Sequence, residues 1–294
     1  MGHAASSKPD PSPPRDRLAS LPEPGRAHHA DNLDFLQALP PESADFVYLD
    51  PPYFTGRRRS RPGASRSFSD TWSGGLDQYL AFLEPRLAAC GRLLKPTGSI
   101  CAHLDWHATH YVKVLMDRVF GPENFLNEII WSYRTGGTSP RWFPRKHDTL
   151  LIYARRLGRH TFHPIRAGSY RTDGLNRDQD GKPYKNTRRG RLYFNARGPL
   201  VTDVWEIPFL STVSDERTGY PTQKPVALLR RLLLAFTNPD DLVIDPFCGS
   251  GTTLVAAAQL GRRTLGCDII PEAVRLTNQR LDVLNLPQSD RATR

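Results

Sequence analysis

The stretch "DLVIDPFCGSGTTLVAAAQLGRRTLGCDIIPEA", residues 241–273, constrains this chain more than any other. An apolar run ends in an acid, a glycine-containing turn follows, then a helix-forming run, then a second apolar run ending in another acid. That order reads as strand, turn, helix and strand, the unit of a parallel sheet. Gly249 and Gly251 permit a tight turn with close backbone approach, and the following helix presents unpaired N–H groups at its start. Asp268 stands 23 residues after Asp245, a spacing that suits a carboxylate binding the two hydroxyls of an adenosine ribose.

The turn differs from two familiar phosphate-binding turns. "DPFCGSGTT" holds two of the three glycines of a dinucleotide fingerprint, and Asp245 would repel a pyrophosphate. No lysine precedes Thr252 and Thr253, so it is not a Walker A loop. An acid facing such a turn suits a cationic ligand with an amino acid part. S-adenosylmethionine carries both an ammonium and a sulfonium. An ordinary strand-to-helix connection is the competing reading.

A second acid ends an apolar run far upstream. In "DFVYLDPPYFTG" the run Phe46 to Leu49 is rich in β-preferring residues and is terminated by proline, so it predicts a core strand with Asp50 at its C-terminal mouth. Between the two motifs the pattern alternates. "LDQYLAFLEPRLAACGRLL" and "HYVKVLMDRVF" have helical spacing; "GSICAHLD", "EIIWSYR" and "DTLLIYAR" read as strands. A short amphipathic helix is expected from Asn32 to Leu39, and "QKPVALLRRLLLAF" predicts another.

The chain has 294 residues, with 40 Lys plus Arg against 30 Asp plus Glu and a formal charge of +10. This favours a polyanionic partner, nucleic acid first. The excess is concentrated in two places. Five arginines lie between Arg57 and Arg66, and residues 155–197 hold twelve Lys or Arg against three acids. In the second, Arg188, Arg189 and Arg191 stand beside Tyr193 and Phe194, a mixture suited to phosphate contacts and groove insertion. A solvated basic loop is the plainer alternative.

Residues 1–26 hold six prolines and few bulky apolar side chains, so they are expected to form a disordered tail. The four cysteines form no CxxC pair, which argues against a disulfide framework or a zinc cluster and fits a reducing cytoplasm. His103, His107 and His110 do not share one helical face and are read as surface or capping residues, so no metal site is expected. No run approaches the length of a membrane span.

Taken together, "DPPY" and "DPFCGSGTT" resemble the S-adenosylmethionine-dependent DNA amino-methyltransferases that act on adenine N6 or cytosine N4. The catalytic motif precedes the cofactor motif with a basic insertion between them, the permuted order called the beta class. The resemblance spans about residues 28–285. It implies an α/β, Rossmann-like methyltransferase fold, a mostly parallel sheet with helices on both faces, circularly permuted and carrying a basic target-recognition insertion. The expected division is a tail over 1–26, the catalytic half over 27–154, a target-recognition region over 155–217, the cofactor-binding half over 218–285 and a C-terminal tail over 286–294.

Carried over residue by residue, the resemblance assigns Asp245, Phe247, Gly249, Gly251 and Thr252 to the methionine side of the cofactor. It assigns Asp268 to the ribose, Asp31 to the neighbourhood of the adenine, and Lys224 and Pro225 to a further cofactor-side motif. Asp50 and the Pro51 carbonyl would accept hydrogen bonds from the target NH₂, with Pro52 helping to hold that carbonyl outward. Tyr53 would stack on the flipped base. Arg57, Arg58 and Arg59 would clamp phosphates, and Arg188, Arg189 and Arg191 would contact DNA.

Family members acting on cytosine N4 often carry serine at the position of Asp50, so adenine N6 is favoured, with cytosine N4 open. An RNA methyltransferase and a DNA-binding protein without catalysis are the other readings. Cytosine C5 methylation needs a thiolate that usually follows a proline, and none of the four cysteines does. The resemblance also implies double-stranded DNA as partner, a homodimer and a cognate restriction enzyme as candidate partners, no membrane, and a bacterial cytoplasm near the nucleoid.

Overall fold

The computed structural model describes residues 22–55, 58–59, 68–69, 72–134, 138–211 and 213–285. The chain begins with β1 (Arg26–His29) and α1 (Asn32–Ala38). Asp31 caps α1, accepting from the backbone N–H of Leu33 at 2.8 Å and of Asp34 at 3.4 Å, which satisfies two donors that a helix start leaves free. In β2 (Ala44–Leu49) all six residues are buried. A strand covered on both faces has no polar side to show, which explains the apolar run Phe46–Leu49; the one acid in the strand, Asp45, is buried and accepts from Lys95 Nζ at 2.7 Å.

A two-stranded ribbon, β3 (Arg58–Arg59) and β4 (Phe68–Ser69), leads to α2 (Gly75–Leu93) and β5 (Leu94–Leu104). Pro85 lies inside α2, yet the helix continues because Leu83, Leu87, Cys90 and Leu93 are buried against the sheet. Next come α3 (Thr109–Phe120), a single 3₁₀ turn, β6 (Phe125–Ser132) and β7 (His147–Ala154). Three short strands follow: β8 (Asn176–Arg177), β9 (Pro183–Thr187) and β10 (Gly190–Tyr193). The chain then forms β11 (Val204–Glu206), α4 (Val226–Phe236), β12 (Leu242–Asp245), α5 (Thr252–Gln259), β13 (Arg263–Asp268) and α6 (Pro271–Asn285).

Eight strands make one sheet in the order β1-β13-β12-β2-β5-β7-β6-β11. Only β7 runs against its neighbours β5 and β6 among these pairs. Along β2, Val47 and Leu49 pack with α1, α2 and α3, whereas Phe46 and Tyr48 pack with α4 and α5. Alternate residues of one strand thus serve two helical layers, the doubly wound Rossmann-like arrangement expected from the sequence.

The boundaries differ in places from those the sequence suggests. Arg26, expected to end the tail, already pairs with Leu265 in the sheet. Residues 155–217 do not stand apart from the main domain throughout. β11 lies within them and pairs with β6, from Val204 opposite Ile130 to Glu206 opposite Ser132, and Trp205 and Ile207 are buried in the same core as α4. What stands apart is the small sheet β10-β9-β8, in which Tyr184 is the buried residue.

Candidate functional site

Two neighbouring strands send the chain in opposite directions. From β12 the chain passes through α5 to β13 on one side; from β2 it passes through α2 to β5 on the other. The crevice between such strands, beyond their carboxyl ends, is where doubly wound sheets hold ligands. Here it is a cavity of about 420 Å³. Asp50 enters it from the end of β2, Asp245 from the end of β12 and Asp268 from the end of β13.

Of the residues picked out by motif, Asp31, Asp50, Pro51, Pro52, Tyr53, Lys224, Asp245, Phe247, Gly249, Thr252 and Asp268 all line this cavity. Gly251 and Pro225 do not. Gly251 caps α5 in the left-handed region (φ 77°), where a Cβ would come within 2.5 Å of Thr277. Pro225 is the residue before α4, and its carbonyl accepts from Leu228 N at 3.1 Å. Both shape the frame rather than the wall.

The glycine turn is held from beneath. Asp245 accepts from Phe247 N at 3.0 Å, and Asp268 accepts from Gly249 N at 2.8 Å and Ile270 N at 2.9 Å. Thr277 of α6 donates to the Gly249 carbonyl at 3.0 Å. Burial pushes the Asp245 carboxyl up to about 7, against the pull of its bonds from Thr253 and Phe247, while Asp50 and Asp268 add repulsion. Burial likewise raises Asp268. Such carboxyls are ionised more readily when a cation binds beside them.

Lys224, expected on the cofactor side, lines the cavity and there bonds to the "DPPY" motif. Its Nζ donates to Asp50 Oδ2 at 2.6 Å and to the Tyr53 hydroxyl at 3.0 Å, and sits 5.0 Å from the centroid of the Tyr53 ring. The Tyr53 hydroxyl in turn donates to Asp148 Oδ2 at 3.4 Å. Desolvation, then the Asp50 charge, holds that phenol well above its ordinary value, so it stays protonated.

Asp148, which no motif marks, gathers two further partners: Tyr133 at 3.2 Å and His103 Nε2 at 3.3 Å. His103 Nδ1 lies 2.6 Å from the Tyr48 hydroxyl. Both contacts are satisfied when Tyr48 donates to Nδ1 and Nε2–H donates to Asp148. Burial opposes the Asp148 carboxylate, but the His103 bond and its other partners hold it below its usual range. His103, expected as a surface or capping residue, is therefore a buried member of this relay. His107 pairs with Asp105 at 2.6 Å.

Other wall residues escaped the sequence reading: Trp72, Phe82, Arg86, Tyr220 and Ile270. The Trp72 indole N–H and the Tyr220 hydroxyl are buried with no hydrogen-bond partner among the described residues. Such groups are few in folded proteins, and these two belong to residues that line the cavity. Cys248 also lines the cavity, but burial pushes its thiol well above the ordinary value, which does not suit a nucleophile.

Of the arginines expected to meet DNA, Arg188, Arg189 and Arg191 do not line this cavity. Arg188 and Arg189 form the exposed turn between β9 and β10, and Arg191 of β10 lies over the Tyr184 ring at 4.6 Å. Arg57 lies outside the described residues, and for Arg58 and Arg59 only the backbone is described. No helix among the described residues is long and apolar enough to cross a membrane, and no group of three or more His, Cys, Asp or Glu among them could hold a metal ion.

The model of one protein family, DNA methylase (N6_N4_Mtase), matches residues 44–279. The chain is 29% identical over 262 residues to DNA adenine methyltransferase YhdJ of Escherichia coli, covering 87% of this chain and 82% of that protein. Its fold is similar to that of the M1.HpyAVI–SAM complex, with a TM-score of 0.58, 20% identity, and coverage of 87% of this chain and 98% of that one. It is also similar to that of the cytosine-N4-specific PvuII DNA methyltransferase, with a TM-score of 0.62, 17% identity, and coverage of 92% and 93%.

Proposed function

Because this chain belongs to the DNA methylase family, we propose that it moves a methyl group from S-adenosylmethionine to the exocyclic amino group of a flipped base in duplex DNA, adenine N6 being the preferred target. The observation that carries this reading is that "DPPY" and the glycine turn, about two hundred residues apart, line one cavity.

The cavity's chemistry fits the cofactor. A cation paired with Asp245 would offset the burial that raises its carboxyl, and the unpartnered Trp72 and Tyr220 groups offer donors to a polar ligand. Asp268 stands at the strand end suited to ribose hydroxyls. When bound, S-adenosylmethionine supplies an electrophilic methyl group on a sulfonium.

The chain's own task is to make a poor nucleophile attack. An exocyclic amino nitrogen shares its lone pair with the base ring. Lys224 fixes Asp50 Oδ2, leaving Oδ1 to accept an amino N–H. The Pro51 carbonyl accepts a second, and together they favour a tetrahedral nitrogen whose lone pair is free to attack. The same carboxylate is placed to take the proton that the nitrogen sheds after transfer. Tyr53, clamped between Lys224 and Asp148, offers its ring as the platform for the base.

Adenine is preferred because an acid stands at position 50, where cytosine-N4 enzymes of the family often carry serine. The test is to incubate the protein with unmethylated genomic DNA and S-adenosylmethionine and to identify the methylated nucleoside by mass spectrometry. N6-methyladenine is expected. N4-methylcytosine would keep the mechanism and refute the base assignment. Labelled RNA with unlabelled DNA would overturn the duplex-DNA reading.

A further inference from the structure

β7 runs opposite to its neighbours, so its first residues sit beside the last residues of β5 and β6: Thr149 is opposite Leu104, and His147 is opposite Ser132. The loop that enters β7 therefore stands on the same edge of the sheet as Asp50. Its anchor is close to the chemistry, because Asp148 bonds to the Tyr53 hydroxyl. This loop carries "TSPRWFPRK", residues 138–146, with three cations and no acid.

Phe143 is 95% exposed and Trp142 is 55% exposed. Pro140 and Pro144 flank them, each fixing its own φ and stiffening the segment between. Trp142 and Arg145 on either side of Phe143 join a stack. The Arg145 guanidinium lies 3.8 Å over the Trp106 ring and 5.4 Å from that of Trp142. Trp106 stacks on His107 with centroids 3.7 Å apart, and His107 is tied to Asp105. A phenylalanine left almost wholly in water, on a stiff basic loop beside the catalytic edge, matches a partner that is anionic outside and flat and apolar within.

We propose that Phe143 enters the DNA duplex at the position the target base vacates, with the Trp142–Arg145–Trp106 stack beside it and Arg141 and Arg145 toward the phosphates. Extruding a base leaves a gap in the stack, and apolar wedges are a general means of filling one. The inference rests on the DNA-methylation reading and adds to it a residue for the extrusion step.

The test compares the protein with Phe143→Ala and Phe143→Trp. The substrates are a duplex containing the methylated site found with genomic DNA, and the same duplex with the target base mispaired. Phe143→Ala should lower kcat/KM about tenfold or more on the paired duplex, and the loss should shrink several-fold on the mispaired one, where extrusion costs less. Phe143→Trp should retain most activity. 2-Aminopurine at the target position should show less extrusion with Phe143→Ala.

Equal losses on both duplexes would make Phe143 a general DNA contact and overturn the proposal, as would no loss at all. Loss of a dimer on sedimentation, with both duplexes used equally, would assign the side chain to a second copy of the chain and overturn it too. If the unaltered protein methylated no DNA, the proposed function itself would fail, an outcome distinct from an active enzyme indifferent to Phe143.

Discussion

Asp245→Asn should make the protein more stable and the cofactor site weaker. Burial raises the carboxyl from an ordinary 3.8 to about 7. At about 1.36 kcal/mol per tenfold change in acidity, this corresponds to about 4 kcal/mol. The folded state then holds a proton that the unfolded state has released. The stability linked to this group is fully present below about pH 3.8 and is lost as pH rises through about 7.

An asparagine of the same shape keeps an acceptor for Phe247 N and carries no charge to bury. The variant should therefore melt about 5–10 °C higher at pH 8. That gap should narrow from about 4 to about 2 kcal/mol by pH 5, because the native carboxyl is then protonated. Differential scanning fluorimetry across pH 5–8 reads this directly. Isothermal titration should show S-adenosylmethionine binding weakened about 10–100-fold, the loss of a bond to a charged group. A variant that melts below the unaltered protein at pH 8, or a gap that does not change with pH, would refute the burial argument.

Lys224→Met should lower methyl transfer far more than cofactor affinity, since the amine holds Asp50 and Tyr53; a Kd loss equal to the kcat loss would return it to the cofactor side. It should also cost about 1–3 kcal/mol of stability, because a partly buried carboxylate loses its charged partner, measurable by urea denaturation. Replacing Arg188, Arg189 and Arg191 by alanine should weaken DNA binding and lower the slope of log K against log salt by up to about 0.9 for each phosphate no longer neutralised. An unchanged slope would remove the hairpin from the DNA interface.

What the sequence disclosed was local. The glycine turn, Asp268 and Asp50 are each read from a run of about ten residues whose apolar part predicts its own strand. Contacts made across the fold were hidden. Lys224 and Asp50 are 174 positions apart, so the motif holding Lys224 pointed only to the cofactor side. β1 and β11 were missed because edge strands of three or four residues carry too little pattern. His103 left a faint trace: a polar residue inside "ICAHL", a run buried on both faces, must find partners within the core. Asp148 sits just inside the start of another such run. The motif residues Gly251 and Pro225 show the converse, since a motif position can serve as a helix cap.

The pairing of β2 with β12 also governs when activity can arise during synthesis. Phe46 lies opposite Val243, so the ribosome must add nearly two hundred residues after Asp50 before the strand beside β2 exists. At about 5–20 residues per second, that interval is about 10–40 s. Throughout it one whole edge of β2 has no partner, and an unpaired strand edge invites pairing with other chains. The glycine turn needs α6 as well, because Thr277 braces it. A growing chain therefore exposes that edge to other chains until residues 242–285, which complete the cavity and its brace, have been made.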